Sequence, residues 1–223
     1  MKAYIESLKT EFLRNANPSI ALGQKAYMKD KFEFLGIKMP VRKKIQQPFL
    51  VKEYLPEKEI AFKIIKKLWQ KPEREYQYFA MDLLEKYSQN FDKNDIDFLE
   101  YLIINKSWWD TVDKITQKFF GAYFKQFPEQ INHKIDEYVQ SDNIWLQRTA
   151  ILFQLKYKEK TDVILLENII NQLKNTNEFF INKAIGWALR EYSKTNPAWV
   201  IDFVKNTALN NLSKKEALKI IKK

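Results

Sequence analysis

Four stretches of this chain repeat one another at a spacing of 35 residues, and each has the periodicity of a helix. Residues 74–87 (REYQYFAMDLLEKY), 145–157 (WLQRTAILFQLKY) and 179–192 (FFINKAIGWALREY) each end in a tyrosine with basic neighbours. Tyr157 and Tyr192 are 35 residues apart and Tyr87 precedes Tyr157 by 70, so one further unit is expected between them. It is residues 109–124 (WDTVDKITQKFFGAYF), where the tyrosine falls one residue late, at Tyr123. A unit of this length fits a pair of helices with their turns, and stacked pairs build a solenoid with a convex and a concave face.

The rest of the chain agrees. Apolar residues recur three and four apart, as in Ile60, Ile64, Ile65, Leu68 and Trp69, or Phe98, Leu99, Leu102 and Ile103. No convincing alternating, strand-like stretch is found. Short punctuating groups divide the segments, among them Asn17-Pro18, Gln89-Asn90, Ser141-Asp142-Asn143, Lys160-Thr161-Asp162 and Asn196-Pro197. Several place a capping residue or a proline where a helix should start. The fixed Trp, Gly and Tyr positions of a tetratricopeptide repeat are absent. The expected fold is all-α: a single HEAT-like helical-repeat domain over residues 1–223, a solenoid with a concave, positively charged groove.

Scarce residue types exclude most chemistries. The 223 residues include no cysteine, which removes disulfides, thiolate zinc sites, iron–sulfur clusters and cysteine nucleophiles. His133 is the one histidine, and Gln130, Asn132 and Lys134 around it supply no metal or triad pattern, so it reads as a surface residue. The glycines, at 23, 36, 121 and 186, are too scattered for a phosphate-cradling loop. No metal and no other cofactor is expected. Residues 1–15 are amphipathic rather than a signal peptide, and no run approaches the roughly 18 apolar residues needed to span a bilayer. The expected location is the cytoplasm. Lys and Arg number 38 against 28 Asp and Glu, a net charge of +10, which points to a polyanion such as nucleic acid or a membrane surface. The surplus concentrates in residues 29–53, with seven Lys and Arg against three acids, and 205–223, with six lysines against one glutamate.

The period aligns Tyr78, Asp113, Arg148 and Lys183. Core positions would be apolar in every unit, so this polar row is expected to line a surface, the concave groove. Trp109 lies four before Asp113 and Trp187 four after Lys183, on the same helix face, whereas Leu152 keeps part of that wall apolar. Ser107 and Asp110 suit a helix start and Trp108 a core position, whereas Asp113 falls inside the helix on the polar row. Asp142 or Asn143 reads as an N-cap. For Arg148 the residues leave two readings open, an ion pair between repeats or a phosphate contact. Gly186, inside a helix, costs about 1 kcal/mol relative to alanine and points to close packing or to room for a ligand beside Trp187.

These segments resemble the bacterial DNA-alkylation repair glycosylases of the AlkD type. The resemblance is carried by Tyr27-Met28-Lys29, Phe34-Leu35-Gly36-Ile37, Trp69 with Pro72-Glu73-Arg74-Glu75, Lys106-Ser107-Trp108-Trp109-Asp110 with Val112-Asp113, Ser141 through Arg148, and Lys183-Ala184-Ile185-Gly186-Trp187 with Leu189-Arg190-Glu191-Tyr192. It implies a HEAT-like solenoid that removes N3- and N7-alkylated purines from duplex DNA by cleaving the N-glycosidic bond. It implies that Asp113 is the catalytic carboxylate, Trp109 and Trp187 the active-site indoles, and Arg148 the groove arginine that holds a phosphate. Tyr27, Lys156 and Arg190 resemble DNA contacts of the family, and Lys183 joins them from the polar row. A monomer on double-stranded DNA, at the nucleoid when bound, is the corresponding expectation. Two other readings compete: a non-catalytic DNA- or RNA-binding helical-repeat protein, and a scaffold for protein partners.

Overall fold

Apolar residues spaced three and four apart wind into helices here because that spacing gathers them on one face. The computed structural model describes residues 1–221; Lys222 and Lys223, the end of the C-terminal basic stretch, lie outside the described residues. Among the described residues no strand forms, and one isolated parallel bridge joins Glu33 to Glu73. Among the described residues no helix is long and apolar enough to cross a membrane. The sequence reading takes the chain as one domain; its internal contacts gather into two compact units that meet at Asn90 and Phe91, beside the Gln89-Asn90 punctuation.

The first unit carries α1 (Lys2–Arg14), α2 (Pro18–Tyr27), α3 (Met39–Gln46), α4 (Lys58–Trp69) and α5 (Arg74–Leu84). The Asn17 side chain accepts the Ile20 N–H and starts α2, as its place before Pro18 suggests. Tyr4, Phe12, Phe49, Tyr76 and Phe79 form an aromatic core. On α4 the buried stripe is Ala61, Ile64, Ile65, Leu68 and Trp69, and Ile60, assigned to that stripe from spacing, is 37% exposed. The face centres on Ala61, which leaves Ile60 about 100° round the helix. Two motif stretches prove to be one device: the buried Glu75 carboxylate accepts the N–H groups of Leu35, Gly36 and Ile37 at 3.0–3.1 Å. Gly36 has φ +81° there, and a Cβ would sit 2.0 Å from the Asn17 carbonyl oxygen.

The second unit carries α6 (Asp95–Ile104), α7 (Trp109–Lys114), a π-helical turn (Ile115–Phe120), α8 (Gly121–Gln126), α9 (Ile131–Gln140), α10 (Ile144–Leu152), α11 (Val163–Leu173), α12 (Phe179–Tyr192), α13 (Pro197–Asn206) and α14 (Asn211–Ala217). Asn143, Asp162 and Asn196 cap α10, α11 and α13 with their side chains. The π turn explains the late tyrosine. A π turn inserts one residue into an α-helix, so everything after it is shifted by one position. Asp113 precedes the turn and keeps the 35-residue register; Tyr123 follows it and falls one residue late.

Three of the repeated tyrosines tie separate segments together. Tyr87 donates its hydroxyl to the Pro56 carbonyl, Tyr123 to that of Lys93 at 2.6 Å and Tyr157 to that of Gly121 at 2.8 Å. Burial pushes each phenol up to about 12, so all three remain donors at neutral pH.

Candidate functional site

Three members of the polar row, Asp113, Arg148 and Lys183, come together in the second unit, where α10 packs on both α7 and α12, and α14 packs on α12; Tyr78 lies on α5 in the first unit, with the Arg42 guanidinium 5.0 Å from its ring centre. Helix α7 starts at Trp109 with Trp108 as its N-cap residue. Ser107, expected at this helix start, instead turns back and donates its hydroxyl to the Ile103 carbonyl, so it closes the preceding helix. Asp110 sits in the first turn of α7, where an acidic side chain suits the helix dipole. One turn on, Asp113 meets Arg148 from α10. Arg148 donates from Nε to one carboxylate oxygen at 2.7 Å and from Nη2 to the other at 3.0 Å. Its Nη1 donates to the Phe180 carbonyl on α12. The side chains are only 5% and 16% exposed for Arg148 and Asp113, so this is a largely buried fork-to-fork ion pair. Arg148 thus pairs with the carboxylate one period before it.

That pair sets the electrostatics. Burial pushes the Asp113 carboxyl above its ordinary range, the hydrogen bonds and charge of Arg148 pull it back, and Asp110 adds a smaller push upward. One residue beyond Arg148, Thr149 donates its hydroxyl to the Trp145 carbonyl and meets the Thr116 hydroxyl at 2.9 Å. Both threonines are fully buried, and they fasten the π turn behind Asp113 to α10.

Asp113 and Arg148 line a cavity of about 380 Å³ with Trp109 and Trp187. Trp109, Asp113 and Trp187 also line a more open one of about 580 Å³, which Lys156 borders. Trp108 belongs to the support: its ring packs on Trp145 and Phe180, with centroids 5.8 and 5.2 Å away. Gly186 resolves to close packing. A Cβ there would lie 2.6 Å from the Glu216 Cβ and 2.9 Å from the Ser213 carbonyl oxygen, so the glycine lets α14 seat against α12. Among the described residues no group of His, Asp and Glu is arranged to hold a metal ion.

The residues expected to meet DNA divide. Lys156, Lys183 and Arg190 all border these cavities, and each is held by a carboxylate. Lys156 pairs with Glu191 at 3.1 Å, Lys183 with Glu216 at 2.7 Å, and Arg190 with the other Glu216 oxygen. Burial would raise the Glu191 carboxyl, but hydrogen bonds from Lys194 and Lys156 hold it below its usual range. Tyr27 ends α2 in the first unit and is 68% exposed. Phe179, Phe180 and Glu216 also line the smaller cavity, and reading the sequence missed them. The signal for Glu216 was present: it is the lone acid among the lysines of residues 205–223.

A family model described as DNA alkylation repair enzyme matches residues 8–221. A solved structure described as a predicted DNA alkylation repair enzyme from Enterococcus faecalis is 38% identical, with a TM-score of 0.86 over 94% of this chain and 98% of that one. No curated protein gave a significant match.

Proposed function

Because this chain belongs to the DNA alkylation repair enzymes, we propose that it is a monofunctional DNA glycosylase that hydrolyses the N-glycosidic bond of N3- and N7-alkylated purines in duplex DNA. The observation that carries the reading is the Asp113 carboxylate, opening on a cavity between two indoles and pinned in place by Arg148.

An alkylated purine already carries positive charge, so it leaves without a proton from the enzyme. One carboxylate then does the work for which ordinary glycosidases use two. As the bond breaks, the sugar becomes oxocarbenium-like, and Asp113 stabilises that charge by its fixed negative field. Each of its oxygens accepts one bond from Arg148 and keeps a second lone pair, through which it can orient an attacking water. Arg148 acts in both directions: its hydrogen bonds and charge favour the ionised form of the largely buried carboxyl, and its charge offsets part of the field that Asp113 presents to the sugar. The indole faces of Trp109 and Trp187 attract the same cation, worth about 0.5–2 kcal/mol each. Arg148 has N–H groups beyond the three in use, and a backbone phosphate is their proposed partner. Tyr27, Lys156, Lys183 and Arg190 are proposed to contact the DNA backbone, with the protein acting as a cytoplasmic monomer.

The test is release of 7-methylguanine or 3-methyladenine from methylated duplex DNA. Release by the wild type and none by Asp113→Asn is the expected result. Equal release by both would remove Asp113 from the chemistry, and none by either would remove the glycosylase.

A further inference from the structure

Glu216 is an acid among cations in a cavity proposed to receive DNA. Its carboxylate bridges Lys183 and Arg190, one oxygen to each. Its side chain is 11% exposed, whereas the Lys183 side chain is 41% exposed and that of Arg190 23%. The two cations are therefore reachable from solvent, and the carboxylate is the most enclosed of the three charged groups. Helix α14 does not depend on these ion pairs for its seat. Ser213, fully buried, donates to the Asn182 carbonyl at 2.8 Å, Ala217 is fully buried, and the Gly186 notch admits the Glu216 Cβ.

A carboxylate and a phosphodiester offer the same chemistry to a lysine and an arginine: two anionic oxygens that accept charge-assisted hydrogen bonds. We propose that Glu216 keeps the place of a DNA backbone phosphate. In the unbound protein its carboxylate neutralises Lys183 and Arg190; a phosphate entering between those cations displaces it. This rests on the proposal that DNA occupies the cavity, but not on base release. Glu216 then lowers affinity for every duplex alike, because displacing it is a cost that each phosphate contact must meet. Lys156 and Glu191 form the same kind of pair at the neighbouring cavity, which makes Lys156 an internal comparison.

The experiment measures binding of undamaged duplex DNA to the full chain across a salt series. Glu216→Gln keeps the shape and removes the charge. It is expected to bind about tenfold more tightly at low salt, the size of losing one like-charge contact in a dielectric close to that of water. Its log–log salt slope is expected to steepen by about 0.9, one further net ion released. Lys183→Gln should then weaken binding more in the Glu216→Gln background than in the wild type. If Glu216 merely orients Lys183, the signs invert: Glu216→Gln weakens binding and the lysine matters less without it, which overturns the proposal. Should Glu216→Gln fail to fold, the Lys183→Gln and Arg190→Gln double variant decides, with about tenfold weaker binding supporting the proposal and unchanged binding overturning it. A wild type that binds no duplex also overturns it. Base release from methylated duplex is scored separately: binding as expected without base release removes the glycosylase and leaves this proposal standing.

Discussion

Asp113 is useful to a developing cation only while it is ionised, and burial works against that. Arg148 supplies the opposing pull, so replacing it should show first in pH dependence. With Arg148 gone the Asp113 carboxyl titrates higher still, and activity that needs the carboxylate is lost at a higher pH on acidification. Arg148→Gln is therefore expected to move the acid limb of the pH–rate profile for base release upward. An unmoved limb would mean that Arg148 does not govern the charge of Asp113. The same pairing sets what Asp113→Asn costs the fold. With Arg148 buried against it, removing the charge leaves a cation uncompensated, at a cost of about 3–5 kcal/mol. We expect a Tm lower by roughly 6–20 °C, so its activity should be assayed well below that Tm.

At the scale of elements, the π turn between α7 and α8 sets the site. Residues before and after it belong to faces offset by one residue, and both faces are in use. Asp113 engages Arg148 before the turn, Phe119 and Phe120 are buried at its end, and Tyr123 and Phe124 are buried beyond it. Deleting Gln117, inside the turn, would restore a continuous α-helix and rotate one half by about 100°. Either Asp113 leaves Arg148 or the aromatic residues leave the core, where exposing even one phenylalanine costs about 3–5 kcal/mol. The expected outcome is a Tm lowered by 10 °C or more, or no cooperative unfolding, in a thermal melt followed by circular dichroism. A deletion variant with wild-type Tm and activity would show that the inserted residue is dispensable.

For the molecule as a whole, the net charge of +10 is what a duplex meets first. Binding to undamaged duplex should weaken about tenfold or more between 50 and 200 mM salt, as counterion release requires even for a few phosphate contacts. Fluorescence anisotropy on a short duplex reads this directly; affinity independent of salt would refute a backbone interface. The number of phosphates in that slope should fall well short of the count of basic residues, because Lys156, Lys183 and Arg190 each begin with a carboxylate partner.

The amino-acid sequence by itself determined the helices, their starts at Asn17, Asn143, Asp162 and Asn196, and the 35-residue period that sets Asp113, Arg148 and Lys183 on one row with Trp109 and Trp187 beside it. Those features are local or periodic, and local propensity and spacing encode them. Even the inserted residue left its mark in the late Tyr123, although only the structure identifies it as a π turn. Charge partnership was decided by tertiary packing alone. Arg148 lies 35 residues from Asp113 and Glu216 lies 33 from Lys183, and each pair forms because helices bring them together. Nothing in a sequence says which carboxylate a cation will face, because an ion pair is fixed by distance in space and by burial, neither of which a linear pattern carries.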